Sequence, residues 1–260
     1  MRRISMPWIY VLVLACATVG SGASARLIGE KQELDMGRNA SRQIEQQYRV
    51  SKNKEHIALV RGMGEKIAAV SSRPKLPWEF KVLESKEVNA FSVPGFVYVN
   101  TGLIEFADGD RDALAGVVAH EVAHTTAKHA VKSAEEQLKY GLAINLIFGN
   151  ADGRKLGGIA ANLTLLGYGR KHEFQADAIG CRYMNGAGYD PNGMLRFFRK
   201  LQAKEGKDSG GLAVYFRTHP PTRDRIARLE KEIVKLGKTP EPAPVTNTTE
   251  TAPTSSGKTH

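Results

Sequence analysis

His120, Glu121 and His124 lie within AHEVAH, inside the run DRDALAGVVAHEVAHTTAKHA. On an α-helix, residues four apart share a face, so both imidazoles can reach one ion. Neutral imidazole suits zinc, and a catalytic zinc keeps three protein donors and leaves one position for water. Glu121, directly after His120, can reach that water from the side. There it would take a proton as the water attacks a carbonyl, then hand it to the leaving amine. This is half of a hydrolytic site for one Zn2+ per chain, and a third protein ligand has to come from elsewhere.

The nearby sequence narrows the choice. One common extension of this motif needs glycine at 127 and histidine at 130, and both positions are alanine. His129 follows His124 by five residues, which on a continuous helix turns it off the ligand face and predicts a surface or capping side chain. Further on, KHEFQADAIG places Glu173 and Asp177 four apart, on a helical face shared with Ala176, Gly180 and Cys181. Acidic side chains facing an interior need a partner, and a cation would serve. Glu173 is therefore expected as the third ligand, with Asp177 hydrogen-bonded to a ligating histidine. His172 is expected in solvent.

The surrounding elements must hold these groups. Three- and four-residue recurrence of Leu34, Gly37, Ala40, Ile44 and Tyr48 predicts a helix over 26–50, and Ile57, Val60, Met63 and Ile67 predict another over 54–71. WEFKVLES and AFSVPGFVYVNTG are rich in aromatic and β-branched residues and predict short strands, broken at Pro94-Gly95. Helical pattern returns from Asp110 to about Lys132, then over 171–185, 191–204 and 222–236, the last with Ile226, Leu229 and Ile233 as its core stripe. Between them, 140–168 is apolar, Gly-rich and too interrupted to span a bilayer, as a flap or lid would be.

Four ordered blocks, NAFSVPGFVYVNTGLI, HEVAH, RKHEFQAD and THPPTRDRIARL, together resemble one gluzincin family: peptidase family M48, which includes HtpX, BepA, LoiP and the CAAX prenyl proteases. The likeness runs over roughly residues 30 to 236. It implies an α+β, mainly helical, zincin-like (minigluzincin) fold with a small β-sheet ahead of the active-site helix. It also implies His120, His124 and Glu173 as zinc ligands, Glu121 as general base, and Asp177 as the acidic residue behind the ligands. His219 and Arg223 match the family's late His-Pro block. There His219 would either stabilise an oxyanion or fill the zinc's open position and hold the enzyme latent. The family's strand segment suggests that Phe96, Val97, Tyr98, Val99 and Asn100 present an unpaired edge to which an unfolded peptide adds as a strand. The expected activity is a zinc-dependent endopeptidase of the bacterial cell envelope acting on unfolded or misfolded polypeptides. The alternative is a chaperone-like or assembly factor with latent or dispensable protease activity. Lacking several long apolar helices, the chain looks closest to compact, LoiP-like envelope members.

Composition fits this picture. The 260 residues are 42% hydrophobic and 25% charged, enough for one large domain with a core. The net charge of +10 is spread along segments that also carry acids, such as RLEKEIVK, so nucleic acid is not an expected partner. Residues 1–25 have a basic start, an apolar run and Ala23-Ser24-Ala25, as a secretory signal has. Val13-Leu14-Ala15-Cys16 competes as a lipidation site, which would anchor the chain to the outer membrane instead of releasing it to the periplasm. The metallopeptidase domain is expected over 26–237, followed by a disordered Pro/Thr/Ser-rich tail over 238–260. Cys181 alone remains for the domain, which argues against a disulfide and against a structural zinc site. No feature of the sequence assigns an oligomeric state.

Overall fold

The computed structural model describes residues 28–136, 168–204, 210–219 and 223–243. The expected leader (1–25), almost all of the expected flap (140–168) and the tail beyond 243 lie outside the described residues. Two helices come first: α1 (Glu30–Gln47) and α2 (Lys54–Ala69), the second capped by Asn53, whose side chain accepts from the amides of Glu55 and His56. Three strands follow, β1 (Glu79–Leu83), β2 (Ala90–Val93) and β3 (Phe96–Asn100), then α3 (Thr101–Ala107) and α4 (Arg111–Thr126). Residues 129–136 are helical again. After the gap come α5 (Arg170–Gly186), α6 (Asn192–Gln202), a 3-10 turn at Gly210–Leu212, α7 (Ala213–Thr218) and α8 (Arg223–Lys235). Among the described residues, no helix is long and apolar enough to cross a membrane.

The sheet has the order β1-β3-β2, with β1 parallel and β2 antiparallel to β3. Strand alternation splits its side chains between two cores. Ala90, Val97 and Val99 join the main core with α2 and α4, whereas Phe91, Val93, Phe96 and Tyr98 pack under Ala40 and Ile44 of α1. Both faces are covered, so every residue of β2 and β3 is buried. This arrangement corrects one expectation. Phe96, Val97, Tyr98, Val99 and Asn100 form the central strand, paired on both sides, and offer no edge to a peptide. The hairpin turn at Pro94-Gly95 sends β2 to the outside instead.

Helix α4 is the centre of the fold. It has no polar face: every residue from Ala113 to Thr126 is buried. Small residues let its neighbours come close. A Cβ on Gly116 would lie 2.9 Å from the Cα of Met194 on α6, and one on Gly180 of α5 would lie 3.1 Å from the backbone nitrogen of His120. Asp110 caps α4 by accepting the Ala113 amide at 2.9 Å, and Arg196 of α6 grips the same carboxylate through two nitrogens at 2.7 and 2.9 Å. The start of the expected disordered tail is also tied down. Asn192 accepts the Glu241 amide at 2.8 Å, and Arg196 pairs with the Glu241 carboxylate.

Candidate active site

Four buried side chains converge. His120 and His124 of α4, Glu173 of α5 and His219 just after α7 place one donor atom each within 4.8 Å of one another. The Nε2 atoms of His120 and His124 are 2.9 Å apart, and the Glu173 carboxylate lies 3.5 Å from the first and 3.3 Å from the second. His219 Nδ1 sits 3.4 Å from His120 Nε2 and 3.2 Å from Glu173 Oε2. Two imidazole nitrogens and one carboxylate oxygen, sequestered together and aimed at a common point, are a donor set that suits a divalent metal of zinc's kind.

Asp177 lies behind His120, its Oδ1 2.9 Å from Nδ1. In the neutral ring, a proton on that nitrogen leaves the Nε2 lone pair facing the cluster. Burial works against charge on His120, but Asp177 and Glu173 outweigh it and raise its pKa to about 9. Burial, with the charge on His120 adding to it, pushes His124 well below the usual histidine range. Burial also opposes ionisation of Glu173, yet His219 and Arg225 hold its carboxyl well below the usual carboxylate range.

Arg225 was not anticipated. The late block suggested Arg223, but that side chain is exposed at the first turn of α8. Two residues on, about 200° around the helix, Arg225 points inward and is 1% exposed. Its Nε and Nη2 bond both Asp177 oxygens at 2.8 and 2.7 Å, and its Nη1 lies 2.8 Å from Glu173. One guanidinium thus braces both acids. The sequence did hold the clue, since Arg225, Leu229 and Ile233 share the buried stripe of α8 at four-residue spacing.

Glu121 is 1% exposed and accepts a hydrogen bond from the Ser92 hydroxyl at 2.9 Å. Among the described residues its other oxygen has no hydrogen-bond partner, and it stands 3.5 Å from His219 Nε2. Ser92 belongs to β2, the outer strand of the hairpin, so the edge nearest the candidate base is Ala90–Val93 and not Phe96–Asn100.

Two further histidines lie closer than expected. His129 is fully buried, and its Nδ1 is 2.9 Å from His124 Nδ1. His172 is half-buried and stacks on His129 at 4.2 Å between ring centroids. The expectation of a surface or capping His129 rests on one straight helix, and that of a solvated His172 on its facing away from Glu173 and Asp177. Lys128 adopts φ 59, ends α4 and starts a new helical segment, which swings His129 inward. Tyr168, at the foot of α5, stacks on the His124 ring at 4.1 Å.

A mainly helical domain with a small sheet, and an H-E-x-x-H helix whose histidines meet a glutamate from a later helix, define a zincin-like metallopeptidase domain. The sequence profile of Peptidase family M48 matches residues 55–233, and the chain belongs to that family. It is 34% identical over 173 residues to the mitochondrial metalloendopeptidase OMA1 of Schizosaccharomyces pombe, covering 64% of this chain and 50% of that protein. It is likewise 34% identical over 177 residues to a putative beta-barrel assembly-enhancing protease of Vibrio cholerae, covering 63% of this chain and 36% of that one. An HtpX protease homologue of Desulfatibacillum aliphaticivorans is 28% identical over 210 residues, 63% of this chain and 66% of that protein. The chain thus spans half or less of the length of the first two.

Proposed function

We propose that this chain is a zinc-dependent endopeptidase of the bacterial cell envelope that cleaves unfolded or misfolded polypeptides. The observation that carries the reading is the buried convergence of His120, His124 and Glu173 beside a hydrogen-bonded Glu121. The envelope location rests on the leader-like residues 1–25 and on similarity to beta-barrel assembly-enhancing proteases. Lipidation at Cys16 would tether the domain to the outer membrane, and cleavage after Ala25 would release it into the periplasm.

His120, His124 and Glu173 would hold the zinc, with Asp177 and Arg225 fixing two of the three. When bound, zinc would lower the pKa of a water and polarise the scissile carbonyl. Glu121 supplies the proton chemistry. Ser92 anchors one of its oxygens, and the partnerless one takes the proton from the attacking water and later gives it to the leaving amine. A substrate strand laid along the outer edge of β2, next to Ser92, would bring a scissile bond over this pair by backbone pairing alone. Such pairing reads little side-chain identity, which suits unfolded chains of varied sequence. Since all the converging groups are buried, substrate reaches them only when the covering side chains move aside. His219 occupies the space between Glu121 and the ligands, which favours the latent, fourth-ligand role over oxyanion stabilisation.

Glu121→Gln tests the reading. The variant is expected to keep one zinc per chain and to lose casein hydrolysis by about 10²–10⁴-fold. Wild-type rates from this variant would end the peptidase proposal. Full complementation of a deletion strain by the inactive variant would favour the assembly-factor alternative.

A further inference from the structure

His129 has no part in the chemistry above, yet it is fully buried against a proposed ligand. Its Nδ1 lies 2.9 Å from His124 Nδ1, and its Nε2 lies 3.1 Å from Gln175 Oε1 on α5. Stacking on His172 fixes the plane of its ring. Two nitrogens at 2.9 Å share one proton, and there are two ways to place it. If His129 owned the proton, His124 would carry its own on Nε2, the atom that faces His120 and Glu173. That atom would then have no lone pair for a metal. If His124 owns it, the Nε2 lone pair is free, and His129 carries its proton on Nε2, where Gln175 Oε1 accepts it. The second placement satisfies both ring-nitrogen contacts of His129 and turns the Nε2 lone pairs of His120 and His124 toward one point, as a shared metal requires.

We infer that His129 is a positioning residue: its Nδ1 accepts the Nδ1–H of His124, fixing that ligand's tautomer and ring plane, and Gln175 in turn fixes His129. The inference rests on His124 being a metal ligand. An acceptor behind a ligating imidazole raises its basicity and holds its orientation. The two histidines of α4 are then braced differently. His120 leans on a carboxylate that Arg225 neutralises, whereas His124 leans on a neutral ring. The backbone is arranged for this contact. Lys128 takes its left-handed turn just ahead of His129, and its ammonium is held at 2.6 Å by the buried Glu33 of α1.

Zinc competition against a chromophoric chelator tests this on the full chain, with two variants. His129→Leu removes the acceptor, and His129→Asn keeps an acceptor oxygen near the Nδ1 position while losing the bond to Gln175. The expected result is about 10–100-fold weaker zinc binding in the leucine variant and recovery of most of that loss in the asparagine variant. Unchanged affinity in the leucine variant, or equal loss in both, overturns the inference and leaves the proposed function standing. A wild-type chain that takes up no zinc overturns both. Nitrogen-15 NMR of the zinc-loaded wild-type chain gives a readout independent of any variant's folding. His124 should carry its proton on Nδ1 and His129 on Nε2, and a proton on His129 Nδ1 rules the arrangement out.

Discussion

At the scale of single residues, the site depends on one buried cation as much as on its ligands. Arg225 bridges two buried acids, so removing it leaves Glu173 and Asp177 without their shared guanidinium and with His120 and His219 to offset them. Arg225→Met should cost about 3–5 kcal/mol in urea unfolding of the metal-free chain. Arg225→Lys should recover only part, since an ammonium cannot grip a carboxylate in two-pronged fashion. Arg223→Ala, two residues away but exposed, should stay within about 0.5 kcal/mol of wild type. Equal losses from Arg225→Met and Arg223→Ala would mean that the helix start, and not the buried charge, is what matters. His219 gives a second prediction. As a fourth donor crowding Glu121, it should restrain the enzyme, so His219→Ala should raise casein hydrolysis several-fold. A fall of about 10²–10³-fold would instead mark it as an oxyanion stabiliser.

At the scale of elements, the placement of α4 decides the geometry, and Asp110 is the peg at its start. Arg196, helped by the Ala113 amide, holds the Asp110 carboxyl below the usual carboxylate range against some desolvation. A depressed folded pKa adds stability above the unfolded value of about 4, and this is lost as the pH falls through the folded value. Asp110→Asn keeps the cap acceptor and removes the charge. Its deficit, under about 1 kcal/mol because the pair is a third exposed, should be constant from about pH 6 to 8 and close below about pH 4. A gap that stays open in acid would assign the effect to the cap. Elements are also where sequence reading reached furthest and then failed. Periodicity located most of the longer helices to within a few residues, because amphipathic stripes such as Ile57, Val60, Met63 and Ile67 are local facts, but it missed the short α3 and α7 and ran α4 on past Thr126. It could not see that a lysine would adopt a left-handed turn at 128, so His129 was projected outward. Nor could it order the strands, because the residues of β3 are apolar on both faces whether the strand is central or outermost. Arg225 was hidden for a related reason. A charged residue leading an apolar stripe becomes buried only if acids from another helix are waiting for it.

At the scale of the whole molecule, the proposed metal joins parts of the chain that are far apart in sequence. Glu173 follows His124 by 49 residues, and His219 follows Glu173 by 46. Zinc should therefore stabilise the fold as a ligand that binds only the native state, by about 3–4 kcal/mol when present at 100–1,000 times its dissociation constant. Chelation is expected to lower the melting temperature while leaving far-UV circular dichroism largely intact, since Arg225 still balances Glu173 and Asp177 and the apolar core is untouched. Identical melting curves with and without chelator would show that the site contributes nothing to folding. The buried character of α4 has a last consequence, for the order of synthesis. A helix with no polar face has no stable place in water until its neighbours exist. Its packing surfaces on α5 and α6, the acid proposed to complete the ligand set and the arginine that steadies that acid are all translated after it. A ribosome that has made only the H-E-x-x-H segment has therefore made no complete site. On the proposed function, the site is assembled only once residue 225 has emerged, so the growing chain would be unable to cleave itself or its neighbours on the way out.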